Sequence, residues 1–262
     1  MSGQESDVGH VVSAALAAAV FLSVLTSLCL LASNNIRRRR KLVARTSSAE
    51  ANMPPESLSL DPLPHACGNG AGHKPTIMFV LGSGGHTAEM LHFVRDWFRC
   101  MPTFDENQRG IAYKFVFVVA STDNHSEQKV LELFKDAARG ASHVEYEVAK
   151  IPRAREVRQS WVTSVFTTFI ALLSSVIVYL KHRPDVLVCN GPGTCVPMCA
   201  CALFGRAVAV ATTSVIYVES VARVRHLSLS GKLLYWLVDR FIVQWPHLQQ
   251  THPLSEYHGR LT

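Results

Sequence analysis

From residue 76 onward, short apolar runs alternate with stretches of helical period. Residues 76–81 (TIMFVL), 113–120 (YKFVFVVA), 143–148, 185–189 (DVLVC) and 240–244 (RFIVQ) read as strands, with a further strand inside 207–218. They are rich in β-branched and aromatic residues. Most are apolar at successive rather than alternate positions, so both faces are expected to be covered. Between them, 86–100 reads as a helix with Met90, Leu91, Phe93, Val94, Trp97 and Phe98 on its apolar face, and 127–138 as another. Strands alternating with helices predict a parallel sheet with helices on both sides, the doubly wound α/β class.

Two segments carry no charge. Residues 11–32 (VVSAALAAAVFLSVLTSLCLLA) would span roughly 33 Å as a helix, enough to cross a bilayer. A cleaved signal peptide would have a basic start and an apolar run of about 7–15 residues. Here the start is acidic (Glu5, Asp7) and the positive charge follows the run, so an uncleaved anchor is expected. Residues 161–180 are less uniform. Val162, Val165, Phe166, Phe169, Leu173, Val176, Ile177 and Leu180 fall on one helical face, and Ser164, Thr167, Thr168, Ala171, Ser174 and Ser175 on the other. Arg153, Arg155 and Arg158 precede this segment, and Lys181 and Arg183 follow it. A second span would divide the sheet between compartments, so a crossover helix, at most grazing a membrane, is the preferred reading.

Charge sharpens this picture. Of 262 residues, 26 are Lys or Arg and 20 are Asp or Glu. Six of the basic residues (Arg37, Arg38, Arg39, Arg40, Lys41 and Arg45) lie together, and without them the two signs balance. The net charge of +6 is therefore local. It argues against a nucleic-acid partner, which needs cations spread over a folded face. Beside the apolar run it marks the cytosolic flank of an anchor and can meet anionic lipid headgroups. The expected organisation is a short N-terminus (1–10), an anchor (11–32), a basic stop with a Ser/Pro/Gly-rich tether (33–75) and a folded domain (76–243). A C-terminal segment (244–262) remains, which composition alone reads as a frayed tail. The seven cysteines form no disulfide framework. Cys195, Cys199 and Cys201 lie in an apolar run and are expected to fill core rather than bind metal.

Gly82-Ser83-Gly84-Gly85-His86-Thr87 joins the first strand to the first helix of the domain. Glycines there let backbone N–H groups approach a ligand, and the helix N-terminus favours an anion, phosphate above all; a tight turn without a ligand is the plainer alternative. His86 stands where a P-loop needs Lys, and Thr87 where a dinucleotide fingerprint needs Gly or Ala. The first acid after strand two, Asp123, lies too far along for a ribose contact. No cofactor and no metal are expected.

GSGGHTAEM (82–90), KIPRAREVRQSW (150–161), DVLVCNGPGTCVP (185–197), YVES (217–220) and LVDRFIVQWP (237–246) occur in this order. Together they resemble the membrane-anchor subunits of the eukaryotic UDP-N-acetylglucosamine transferase acting second in dolichol-linked oligosaccharide assembly. The resemblance runs from about residue 76 to the C-terminus. It implies a Rossmann-like amino-terminal half of a GT-B glycosyltransferase, tethered by one transmembrane helix to the cytosolic face of the endoplasmic reticulum. A separate soluble catalytic subunit would bind most of the UDP-sugar and dock on the C-terminal segment 244–262. The acceptor would be N-acetylglucosaminyl-diphosphodolichol. A purely structural recruiter is the alternative.

Under this resemblance Gly82, Ser83, Gly84 and Gly85 would receive the diphosphate or the facing sugar-nucleotide. His86 would be the general base, or a helix-start histidine bonding locally. Glu219, after an apolar strand, would orient the acceptor sugar, serve as an alternative base, or simply cap a helix. Lys150, Arg153, Arg155 and Arg158 would contact the acceptor diphosphate or lipid headgroups, unless they form only a solvated basic loop. Asn190, Gly191 and Gly193, in a second glycine-bearing turn, are secondary candidates for the acceptor pocket.

Overall fold

A computed structural model describes residues 23, 26–27, 29–41, 74–100, 113–137, 145–153, 161–191 and 193–261. A helix α1, described over 29–41, precedes the sheet. Strands β1 (Thr76–Val80), β2 (Lys114–Ala120), β3 (Glu145–Ile151), β4 (Val186–Asn190), β5 (Ser214–Val218), β6 (Arg240–Val243) and β7 (Glu256–Tyr257) then alternate with six helices. These are α2 (Gly85–Cys100), α3 (Asn124–Ala137), α4 (Trp161–His182), α5 (Cys195–Ala207), α6 (Leu229–Leu234) and α7 (Pro246–Thr251). All seven strands pair in parallel, in the order β3-β2-β1-β4-β5-β6-β7. The chain runs outward from β1 in one direction, then returns to start β4 on its other side, which opens a crevice at the carboxyl ends of β1 and β4.

The successive apolar residues of each strand divide between two cores. Met78, Val80, Leu187, Cys189 and Tyr217 face one, and Ile77, Phe79, Phe115, Phe117 and Val188 face the other. Helices α2 and α3 cover the second face, where Phe79 stacks against Phe115 and Phe117. Helices α4 to α7 cover the first. Cys195, Cys199 and Cys201 fill this core, with Cys189 Sγ and Cys199 Sγ 3.6 Å apart. Burial pushes the Cys189 thiol up, and that of Cys201 to about 11, which keeps both as neutral packing groups.

Helix α4 makes the crossover between β3 and β4. Its small and hydroxylated residues turn inward. Ala171 and Ser175 are buried, Ser175 Oγ donates to the Ala171 carbonyl, and Tyr179 lies 2.6 Å from Thr213 Oγ1. Small side chains let the helix lie close to a core already filled by α5. The apolar face is left outside, with Phe166 71% and Ile177 70% exposed. Among the described residues no helix is long and apolar enough to cross a membrane. The expected anchor falls largely outside them.

Both termini depart from the expectation. The segment read from composition as a frayed tail is ordered. It forms α7 and adds β7 beside β6. The Arg240 guanidinium bonds the Glu256 carboxylate, Leu261 N–H donates to Gln244 Oε1, and Arg260 lies 4.3 Å over the Trp245 ring. The basic run is not a uniform headgroup contact either. Arg37, Arg38, Arg40 and Lys41 are exposed, but Arg39 is only 1% exposed. Its guanidinium donates to the carbonyls of Leu254 and Tyr235 and lies 5.1 Å from the Tyr235 ring centroid. One turn earlier, Asn35 Nδ2 donates to the Leu237 carbonyl at 2.6 Å. Helix α1 is thus docked on the α6–β7 region. The tether expected over 46–74 lies almost wholly outside the described residues.

Candidate functional site

The glycine loop leaves β1 at Leu81 and enters the crevice. Gly82 is buried, whereas Ser83, Gly84 and Gly85 are exposed at its mouth. Gly84 has φ +63°, a conformation costly for any residue with a Cβ. Below the loop, the Thr87 hydroxyl donates to the Gly82 carbonyl and sits 2.6 Å from Ser126 Oγ. Ser126 in turn donates to Asp123, 2.7 Å from Oδ2. Asp123, too distant for a ribose, therefore helps to brace the loop through α3.

His86, in the first turn of α2, faces the second glycine-bearing turn. Its Nδ1 lies 3.1 Å from Asn190 Oδ1. Asn190 Nδ2 donates to Glu89 Oε2 at 3.0 Å, and Ser220 Oγ donates to Glu89 Oε1 at 2.8 Å. This order assigns a tautomer. A carboxylate can only accept, so the Asn190 amide must present N–H to Glu89 and its oxygen to His86. In a neutral ring His86 Nδ1 then carries the hydrogen and Nε2 the lone pair. Gly191, at φ +64°, lets this happen, because a Cβ there would stand 2.7 Å from His86 Cε1.

Glu89 and Ser220 escaped the reading of the sequence. Each was within reach, since Glu89 follows His86 by three residues on one helix face and Ser220 adjoins Glu219. Glu219 is turned away from the crevice. It is wholly buried, its Oε2 accepts from Ser228 N–H at 2.9 Å and from Ser228 Oγ at 3.0 Å, and its Oε1 accepts from Ser220 N–H. Ser228 caps α6 by accepting from Gly231 N–H. A Cβ on Gly231 would come within 2.3 Å of Glu219 Oε2, so the glycine makes room for this carboxylate. Burial pushes the Glu219 carboxyl up from its ordinary range. This is the helix-capping arrangement.

The basic candidates are dispersed. Lys150 lies within β3 rather than a loop and pairs with Glu127 at 2.7 Å. Arg153 is half-buried just beyond that strand, while Arg155 and Arg158 lie outside the described residues. Gly193 is exposed at the start of α5, next to the crevice. The structure thus brings together Gly82 to His86, Asn190, Gly191 and Gly193, and leaves Glu219 and Lys150 apart from them.

The model of the family described as "Oligosaccharide biosynthesis protein Alg14 like" matches residues 77–261, which hold every element of this site. The chain belongs to the Alg14 family. Proteins named UDP-N-acetylglucosamine transferase subunit ALG14 align with most of it. The rat protein is 43% identical over 188 residues, covering 71% of this chain and 82% of its own length. The human protein is 40% identical over 190 residues, with the same shares. That of Yarrowia lipolytica is 43% identical over 188 residues, covering 72% of this chain and 82% of its own length. Among solved structures, Acinetobacter baumannii MurG superposes with TM-score 0.43 at 15% identity, over 66% of this chain and 42% of its own. The calicheamicin glycosyltransferase CalG4 gives TM-score 0.40 at 14% identity, over 72% and 53%. In this Alg14-family chain, the helix docked through Arg39 lies ahead of the matched residues, whereas the former tail lies within them.

Proposed function

We propose that this chain is the acceptor-side subunit of a two-chain transferase that moves N-acetylglucosamine from UDP-N-acetylglucosamine to N-acetylglucosaminyl-diphosphodolichol. The observation that carries the reading is His86, held at the switch-point crevice by Asn190 Oδ1 at Nδ1, between two turns that need glycine. Family membership and the names of the relatives support the donor and the status of subunit. In the proposed step the acceptor hydroxyl attacks the anomeric carbon. A carbon–oxygen bond forms there, the bond to UDP breaks, and UDP departs with its electron pair. The hydroxyl proton passes to His86 Nε2. Backbone donors at Ser83 to Gly85, with the N-terminus of α2, would hold diphosphate oxygens.

A soluble partner would close the crevice from the other side as the second half of a GT-B enzyme and bring the nucleotide. The apolar run 11–32 would anchor the chain in the endoplasmic reticulum membrane, with the folded domain cytosolic. Arg153, Arg155 and Arg158 remain candidates for the acceptor diphosphate, and 244–262 for partner docking. In the docking role, the outer surface of α7 and β7 would do the work.

The test is co-expression with the soluble subunit and assay of membranes with UDP-N-acetylglucosamine and a diphospho-polyprenyl N-acetylglucosamine. His86→Ala is expected to lower turnover by roughly 10²–10⁴-fold while the partner still co-purifies. Unchanged transfer with His86→Ala and with Gly84→Val would make the chain a structural recruiter. Transfer by this chain alone would overturn the two-chain account.

A further inference from the structure

The outer surface of helix α4 has no counterpart on the opposite side of the sheet. Phe166, Phe169, Ile170, Leu173, Ile177 and Leu180 are all exposed, at spacings of three and four that make one continuous stripe. At about 1.5 Å per residue the stripe runs roughly 21 Å. A helix whose inner face is already buried on the core by Ala171, Ser175 and Tyr179 cannot cross a bilayer. It can lie in one.

The apolar surface continues beyond this helix. Helix α5 packs between α4 and α6. It exposes Phe204, and α6 with its following turn exposes Leu229, Leu233 and Trp236. Next comes α1, docked by Arg39 against Tyr235, the residue beside Trp236. On the opposite layer of the described residues, only Leu131 among large aliphatic side chains is exposed. A soluble domain rarely leaves so broad an apolar face on one side only.

We propose that this face is a monotopic membrane surface, with α4 lying in the plane of a lipid leaflet and its stripe among the upper acyl chains. Three observations favour lipid over protein as the occupant. The α4 stripe has none of the Trp, Tyr or Arg anchors that dominate protein interfaces. Cations border the stripe. Arg183 is exposed at its carboxyl end and Arg153 precedes its amino end, where they can meet headgroup phosphates, whereas Lys181 is paired with Glu147 at 2.6 Å. Finally, the charge-free run 11–32 overlaps α1, which is docked on this layer. The proposal rests on the anchor reading for this third observation and for the choice of the same membrane. Its consequence for the reaction is geometric, because α4 would hold the switch-point crevice at the height of a lipid-linked diphosphate.

The test uses the full chain in liposomes of phosphatidylcholine and phosphatidylinositol, with and without the soluble subunit. In a Cys29→Ser, Cys67→Ser, Cys100→Ser background, single cysteines replace Phe169, Ile177 and, as a control on the opposite layer, Glu132. Each carries an environment-sensitive fluorophore. Co-purification of the partner confirms that every labelled chain is folded.

At positions 169 and 177 the emission is expected to be blue-shifted, and largely lost when lipids carry quenchers on their upper acyl chains. Position 132 should remain water-like. The signals should be equal with and without the partner. Water-like emission at 169 and 177 throughout would overturn the proposal, as would shielding that appears only when the partner is added. Crosslinking of two copies at position 177 without lipid quenching would also overturn it. Carbonate extraction reads the anchor separately. A chain that resists carbonate while 169 and 177 stay in water keeps its anchor and loses this face. A chain stripped by carbonate that nonetheless shows acyl quenching before extraction loses the anchor and keeps the face.

Discussion

At the scale of single residues, the catalytic proposal depends on which ring nitrogen of His86 carries hydrogen. Glu89 decides this at second hand, by fixing the orientation of the Asn190 amide. Replacing Glu89 with Gln keeps the shape but offers an amide that can donate. Asn190 is then free to turn its nitrogen toward His86, which moves the ring hydrogen to Nε2 and removes the base. Glu89→Gln is therefore expected to lower kcat by about 10²-fold or more with little change in KM for the nucleotide-sugar. An isosteric Glu89→Gln chain with unaltered kcat would mean the relay only supports the fold. The glycines and His86 were legible in the sequence, because their chemistry is local to one motif. Glu89 was not, since its role exists only once β4 lies beside β1 and brings Asn190 to α2. Glu219 presents the opposite case. An acid at the end of an apolar strand promises a ligand, but the connection back to α6 turns this one inward onto Ser228.

At the scale of elements, the strands were legible because buried parallel strands are apolar at nearly every position. The short elements were not. α6, α7 and β7 have six, six and two residues, too few to show any period. What holds β7 is side-chain chemistry rather than pattern. Burial alone would raise the Glu256 carboxyl, but hydrogen bonds from His258 and Arg240 outweigh it and bring it to about 2, from an ordinary value of 4.5. A carboxyl depressed in the folded state contributes stability above its unfolded value and loses it as the pH falls. The β7 pairing is accordingly expected to weaken between about pH 4.5 and 2. Amide hydrogen exchange at residues 256–257 should rise in that window before exchange in β1. With Arg240→Met, which leaves the Glu256 carboxylate buried without that cation, exchange there should already be faster at neutral pH. Which face of α4 meets the core was not legible for a related reason. Period alone shows that a helix has two faces, not which of them the core requires. Here the core needed the small one.

At the scale of the whole molecule, the class of fold followed from the alternation of elements, and the switch point followed from strand order. Both are consequences of right-handed crossovers between parallel strands. The net charge was legible as a sum but not as a set of roles. Arg39 sits third in a cluster of six cations and is indistinguishable from its neighbours until Leu254 and Tyr235 surround it. Its burial changes what the residues after it are for. Residues 42–73 leave a helix already fastened to the domain and return to that same domain at β1, so they close a loop rather than measure out a leash. On the proposed anchoring, the distance between bilayer and crevice would be set by Asn35 and Arg39, and the length of 42–73 would be free to drift. Doubling that segment with Gly-Ser repeats should leave transfer to a membrane-borne acceptor unchanged. Arg39→Ala in the doubled chain should reduce it, because only then would the added slack reach the enzyme.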